Sequence, residues 1–120
     1  QNIDGLAKLT NLTSLDLSGC NALQNVDGLA NLTKLTSLNM SRCVDLQNVD
    51  GLTNLTNLTS LDLSGCYALQ NIDGLANLTN LNSLDLTYCE SIKPKPSLVY
   101  MYTRQQVVTY QEHIKKSMKK

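Results

Sequence analysis

The 120-residue sequence contains no Phe and no Trp, a single His, and two Pro that fall together near the end. It also has no apolar run approaching the roughly 18 residues a membrane-spanning helix needs. Each absence excludes something. Without Phe or Trp, a core must be assembled almost wholly from Leu, Val and Ile, which points to one packing environment used repeatedly. A lone histidine, His113, leaves acid–base or nucleophilic catalysis without a base held beside a nucleophile. No Gly-rich phosphate loop, Walker pattern or C-x-x-C occurs, so nucleotide and metal chemistry lack their usual residues. Neither a catalytic residue nor a cofactor is expected.

Net charge is also missing: the formal total is +0, so no global field argues for nucleic acid or a membrane surface. The balance hides an asymmetry. Residues 1–92 hold three basic residues (Lys8, Lys34, Arg42) against nine acidic ones, a net of −6; residues 93–120 hold seven against Glu112 alone, a net of +6. That arrangement favours a basic tail folding back on an acidic body, or binding an acidic partner.

What is present is a repeat. LTSLDLSGC (12–20), LTSLNMSRC (35–43), LTSLDLSGC (58–66) and LNSLDLTYC (81–89) recur every 23 residues, in units 3–25, 26–48, 49–71 and 72–94. The first and third units differ at four positions only: Ile3/Val49, Ala7/Thr53, Lys8/Asn54 and Asn21/Tyr67. Within a unit the apolar residues fall at nearly every third position, as in Val26, Leu29, Leu32, Leu35, Leu38, Met40, Cys43 and Leu46. The step shortens to two at Leu15-Leu17, Leu38-Met40, Leu61-Leu63 and Leu84-Leu86. Alternation of that kind predicts one short strand per unit, over 14–18, 37–41, 60–64 and 83–87. Strands one repeat apart would pair in parallel, roughly 4.8 Å from their neighbours. Asp4, Asp27, Asp50 and Asp73, each followed by Gly, predict N-caps for a turn or two of 3₁₀ or α-helix on the return limb. One unit cannot bury its leucines alone, whereas stacked units share a continuous core.

L-x-x-L-x-x-L-x-L-x-x-C, with D-G-L-x-N-L-T-x-L ahead of it, resembles a leucine-rich repeat over residues 3–92. The L-x-N-L-T-N-L wording is similar to internalin-type bacterial repeats, whose unit is usually one residue shorter and which carry Asn where Cys20, Cys43, Cys66 and Cys89 stand. L-D-L-S-G-C-x-x-L also resembles plant resistance-protein repeats and other cysteine-containing classes. The resemblance implies an α/β repeat solenoid: an arc with a short parallel sheet on the concave face and 3₁₀ or α turns on the convex face. It implies a recognition module for a protein or peptide rather than for a small molecule or nucleic acid. In the resembling families the cysteine position faces inward, where a polar group satisfies loop amides. Four unpaired thiols at identical positions on successive turns suit that structural part, and they lean towards a reducing compartment.

Residues between the strand leucines would form columns on the concave face: Ser14, Ser37, Ser60, Ser83; Asp16, Asn39, Asp62, Asp85; and Ser18, Ser41, Ser64, Thr87. They form either a polar, acidic strip for a basic partner or a solvated sheet face. Departures between units are the sharper clue. Arg42 and Tyr88 replace Gly19 and Gly65, while Val44, Tyr67 and Glu90 replace Asn21. Tyr and Arg are enriched in binding hot spots, so Arg42, Val44, Tyr67 and Tyr88 make a candidate rim beside Asp16, Asn39, Asp62 and Asp85. Local loop packing is the competing reading. Five Asn-x-Thr sequences, at Asn11, Asn31, Asn54, Asn57 and Asn77, follow automatically from repeating N-L-T.

Repetition stops after Ile92. KPKPS holds both prolines and predicts a rigid, extended break. Residues 98–102, LVYMY, read as a strand able to pair with the last rung. Thr103 and Gln106 fit a capping box, and Val107, Tyr110, Ile114 and Met118 form one helical face. Lys115, Lys116, Lys119 and Lys120 follow, where the helix dipole favours cations. Residues 93–120 therefore read as a strand–helix cap, with a basic helix docking on a membrane or partner as the rival. The chain begins at Gln1, in mid-repeat by the match of Gln1-Asn2 to Gln24-Asn25. Ile3, Leu6, Leu9 and Leu12 should then show one side to water. That implies missing upstream repeats, or self-association through the N-terminal edge.

Overall fold

A computed structural model describes residues 3–119; the Gln1-Asn2 match, Lys120 and the side chain of Asp4 lie outside what it describes. Four short strands, β1 (Ser14–Asp16), β2 (Ser37–Asn39), β3 (Ser60–Asp62) and β4 (Ser83–Asp85), stack in parallel with a register of one repeat. The return limbs contain 3₁₀ turns at Asp4–Lys8, Asp27–Leu29, Asp50–Leu52 and Asp73–Leu75. The molecule is the solenoid arc that the period predicts.

The three-residue apolar step has a direct cause in the backbone. Outside the strands the chain closes successive i→i+3 hydrogen bonds: Leu29 to Val26, Leu32 to Leu29 and Leu35 to Leu32, at 2.9–3.1 Å, then Cys43 to Met40 and Leu46 to Cys43. A 3₁₀-like path has three residues per turn, so every third side chain points the same way. From unit two onward these side chains are essentially fully buried, from Val26 and Leu29 to Ile92. Burying each Leu contributes roughly 1.5–3 kcal/mol before chain entropy is counted. Thr36 and Thr59 hydroxyls and Asn57 and Asn80 amides donate to carbonyls of the preceding rung, tying the rungs together outside the sheet.

Two local expectations change. The strands span three residues rather than five, because Asp16, Asn39, Asp62 and Asp85 accept from the amide two residues on, at 2.9 Å in each case. These Asx turns bend the chain at the end of the strand, while single bonds between rungs, such as Leu17 amide to Asn39 carbonyl, continue beyond it. The turns on the convex side are not N-capped by Asp27, Asp50 or Asp73. Val26, Val49 and Ile72 occupy the cap positions without a side-chain bond. Asn25, Asn48 and Asn71 instead accept from the Asp amides. With a turn only three residues long, the Asx carboxamide two residues upstream reaches an amide that the Asp carboxylate does not.

The C-terminal segment closes the arc. β5 (Tyr100–Met101) pairs antiparallel with β4, and α1 (Arg104–Met118) packs over the last rung. The Thr103 hydroxyl accepts from the Gln106 amide, while the Gln106 side chain accepts from Tyr102 N–H, one residue earlier than a standard capping box. Val107, Tyr110 and Ile114 are buried as expected, but Met118 is exposed and Gln111 is buried in its place. The reason is the carbonyl edge of the fourth unit, where backbone oxygens take further donors from the helix. Gln111 donates to the Leu75 and Leu78 carbonyls, and Arg104 to those of Leu78 and Leu81. The tail therefore meets the body through apolar and backbone contacts, not through charge. Among the described residues the one ion pair, Lys115–Glu112 at 3.9 Å, lies within α1 itself.

Candidate functional site

The inward cysteines can be assigned first. The thiols of Cys43, Cys66 and Cys89 donate to the carbonyls of Leu17, Met40 and Leu63, at 3.3, 3.2 and 2.9 Å. The expectation that they serve loop amides is corrected by this geometry: S–H is a donor and sulfur a poor acceptor, so the thiol turns to the strand carbonyl of the preceding rung. Burial pushes the Cys66 thiol up to about 12 and that of Cys89 to about 11, and raises Cys43 as well. Such thiols are protonated and unreactive at neutral pH. All four cysteines are free, and among the described residues no group of His, Cys, Asp or Glu is arranged to hold a metal.

The concave columns stand where the spacing places them. Pairing of Ser14, Ser37, Ser60 and Ser83, and of Asp16, Asn39, Asp62 and Asp85, follows the sheet register. Each member of the acidic column uses Oδ1 in its Asx turn, and Asp62 and Asp85 take a second bond there from the Ser64 and Thr87 hydroxyls. Hydrogen bonding from the Ser18 hydroxyl, then from its amide, holds exposed Asp16 below the usual carboxylate range. The column is thus oriented by its own turns.

The rim residues form a second row. Amides of Gly19, Arg42 and Gly65 donate to Ser41, Ser64 and Thr87 carbonyls at 2.7–2.8 Å, so positions 19, 42, 65 and 88 stack rung on rung. This row has left-handed backbone: φ is 75° at Gly19, 60° at Arg42, 74° at Gly65 and 64° at Tyr88. Glycine adopts that conformation freely; an L side chain there costs about 1–2 kcal/mol. Arg42 and Tyr88 are exposed, Tyr88 by 66%. Tyr67 is also exposed, whereas Val44 is half-buried. The sequence identified these positions as departures but carried no sign of the strained backbone beneath them.

One part of the surface was missed. Tyr100 lies opposite Asp85, and its ring is 5.8 Å from that of Tyr102. Both belong to the concave side, because the neighbouring Met101 is the buried partner of Leu84. The alternation in LVYMY held the signal, but only pairing with β4 shows which surface it extends. Val99 and Tyr88 also line an open cleft of about 440 Å³ beside Lys95 and Pro96.

The family model described as Zer-1-like leucine-rich repeats matches residues 3–72 and 26–116. Among solved structures, internalin C2 from Listeria monocytogenes is similar at 35% identity with a TM-score of 0.62, over 68% of this chain and 35% of that one. An internalin (inlF) from the same organism is similar at 25% identity with a TM-score of 0.53, over 77% of this chain and 36% of that one. The chain therefore spans about a third of the length of these solved relatives. No curated protein matches.

Proposed function

The chain belongs to the Zer-1-like leucine-rich-repeat family, and from that premise we propose that it is a non-catalytic module that recognises a protein or peptide through its concave face and adjoining rim. The contact residues in this reading are Arg42, Val44, Tyr67 and Tyr88 on the rim, with Asp16, Asn39, Asp62 and Asp85 on the sheet. The observation that carries it is the left-handed backbone at Arg42 and Tyr88. Two units meet this turn with glycine, at no steric cost. The other two hold a hot-spot residue type there, exposed and strained. A fold that only needed the turn would be served by glycine, so the side chains are kept for what they touch. His113, the one histidine, is exposed on α1, its ring edge-on to that of Tyr110 at 6.4 Å between centroids.

The test replaces both residues with the repeat's own glycine. An Arg42→Gly/Tyr88→Gly protein should unfold at the same temperature or slightly above, its stability changing by at most about 1 kcal/mol. Its capture of a partner from lysate should fall at least about tenfold. Undiminished capture by the variant would sink the rim assignment.

A second reading, self-association, is favoured by the N-terminal edge. Leu9 is 49% exposed, while Ile3, Leu6, Leu12, Leu15 and Leu17 are only partly covered, unlike their counterparts in later units. Light scattering over a concentration series distinguishes the two: mass rising with concentration supports self-association, and a constant monomer mass removes it.

A further inference from the structure

The strand added by the cap reverses the polarity of the sheet it joins. In β1–β4 the side chains turned away from the core are Ser, Asp and Asn. Around β5 they are Tyr100 and Tyr102, exposed by 53 and 65%, while Met101 between them is buried. The register Leu84↔Met101 and Asp85↔Tyr100 puts Tyr100 directly across from Asp85, with Cβ atoms about 4.5–5.5 Å apart. Continuing that register by one residue sets Tyr102 beside Ser83. The acidic column therefore ends against an aromatic ledge.

Charge selects what this unpartnered face accommodates. Asp16, Asp62 and Asp85 put carboxylates along the face, and among the described residues no Lys or Arg forms an ion pair with them. Asp62 and Asp85 each keep Oδ2 free of hydrogen bonds among the described residues. A cation is thus drawn to the column, and a planar cation gains further by lying on a tyrosine face, which distinguishes guanidinium from ammonium. From β1 to β5 the face spans about 19 Å at the usual strand spacing, the length of about six extended residues.

We propose that an extended, arginine-bearing segment of a partner protein lies across the concave face, one guanidinium seated on the Tyr100–Tyr102 ledge with Asp85 as its counter-ion. This rests on the recognition reading above and supplies the partner's chemistry.

The whole chain is panned against a displayed library of random ten-residue peptides at ~0.15 M salt, where long-range attraction between exposed charges is largely screened. Enriched peptides should carry arginine. The tightest is then synthesised with arginine and with citrulline, which keeps the shape and removes the charge, and binding is followed by fluorescence anisotropy. Citrulline, Asp85→Asn and Tyr100→Ser/Tyr102→Ser should each weaken binding about tenfold, with circular dichroism unchanged. Enrichment without arginine, equal binding of the citrulline peptide, or full affinity in the double tyrosine variant overturns the proposal. The Arg42→Gly/Tyr88→Gly capture test uses other residues, so recognition itself can fail or survive independently.

Discussion

Gly51 and Gly74 face the backbone of the preceding unit: a Cβ on Gly51 would sit 2.5 Å from the Val26 carbonyl oxygen, and one on Gly74 2.3 Å from that of Val49. Neither carbonyl is free to retreat, because both belong to buried residues of the preceding rung. Gly5, the equivalent residue of the first unit, has nothing within 4 Å of that position. Gly51→Ala should therefore cost about 2–3 kcal/mol in denaturant unfolding, whereas Gly5→Ala should be neutral or stabilising by up to about 1 kcal/mol. Equal effects at the two sites would contradict the packing account. The Asp-Gly pairs were legible as the start of the return limb. Their division of labour was not: the glycine serves contact between rungs, and Asn two residues before the Asp makes the local hydrogen bond. A side chain's partner across a turn depends on a backbone path of a few ångströms, which the apolar period does not specify.

At the scale of elements, the repeats and the cap obey different logic. Each inner rung is covered by the next copy of itself, but the fourth rung has no following copy. Arg104 and Gln111 of α1 substitute for it, donating to the Leu75, Leu78 and Leu81 carbonyls. Gln111→Ala removes two buried hydrogen bonds to the Leu75 and Leu78 carbonyls and the side-chain acceptor of the Arg104 guanidinium, and should destabilise the protein by about 1–3 kcal/mol. Exchange of Met118, on the same helix but exposed, should change stability by less than about 0.5 kcal/mol. Thermal unfolding of the two variants checks the contrast, and similar losses in both would argue that α1 is held otherwise. The amphipathic pattern of the tail was legible; Gln111 as a core residue was not, since glutamine on a helix is ordinarily counted as solvent-facing.

Across the whole molecule, the thiol ladder gives stability a pH dependence. Burial raises Cys43, Cys66 and Cys89 above the ordinary thiol value of 9.0, and raises Tyr110 too. The unfolded chain therefore loses these protons at lower pH than the fold does. Stability from this source is complete below about pH 9 and is lost as pH climbs towards 11–12. The melting temperature should be level between pH 7 and 8.5 for these groups and fall steadily above 9, and a flat profile to pH 11 would refute the buried ladder. The ends of the arc differ as well. The C-terminal end is covered by β5 and α1, whereas the leucines of the first unit are only partly buried.

The sequence alone determined the period, the number of described rungs, the position of each strand and the inward set from Val26 to Ile92. It could do so because a solenoid is close to one-dimensional: each unit packs mainly on copies of itself, so local pattern contains nearly all the information. Tertiary structure decided what does not repeat. The antiparallel direction of β5, the burial of Gln111, the left-handed backbone at Arg42 and Tyr88, and the placing of Tyr100 against Asp85 all arise where unlike segments meet. There the outcome depends on register between elements far apart in the chain, and no periodicity encodes it.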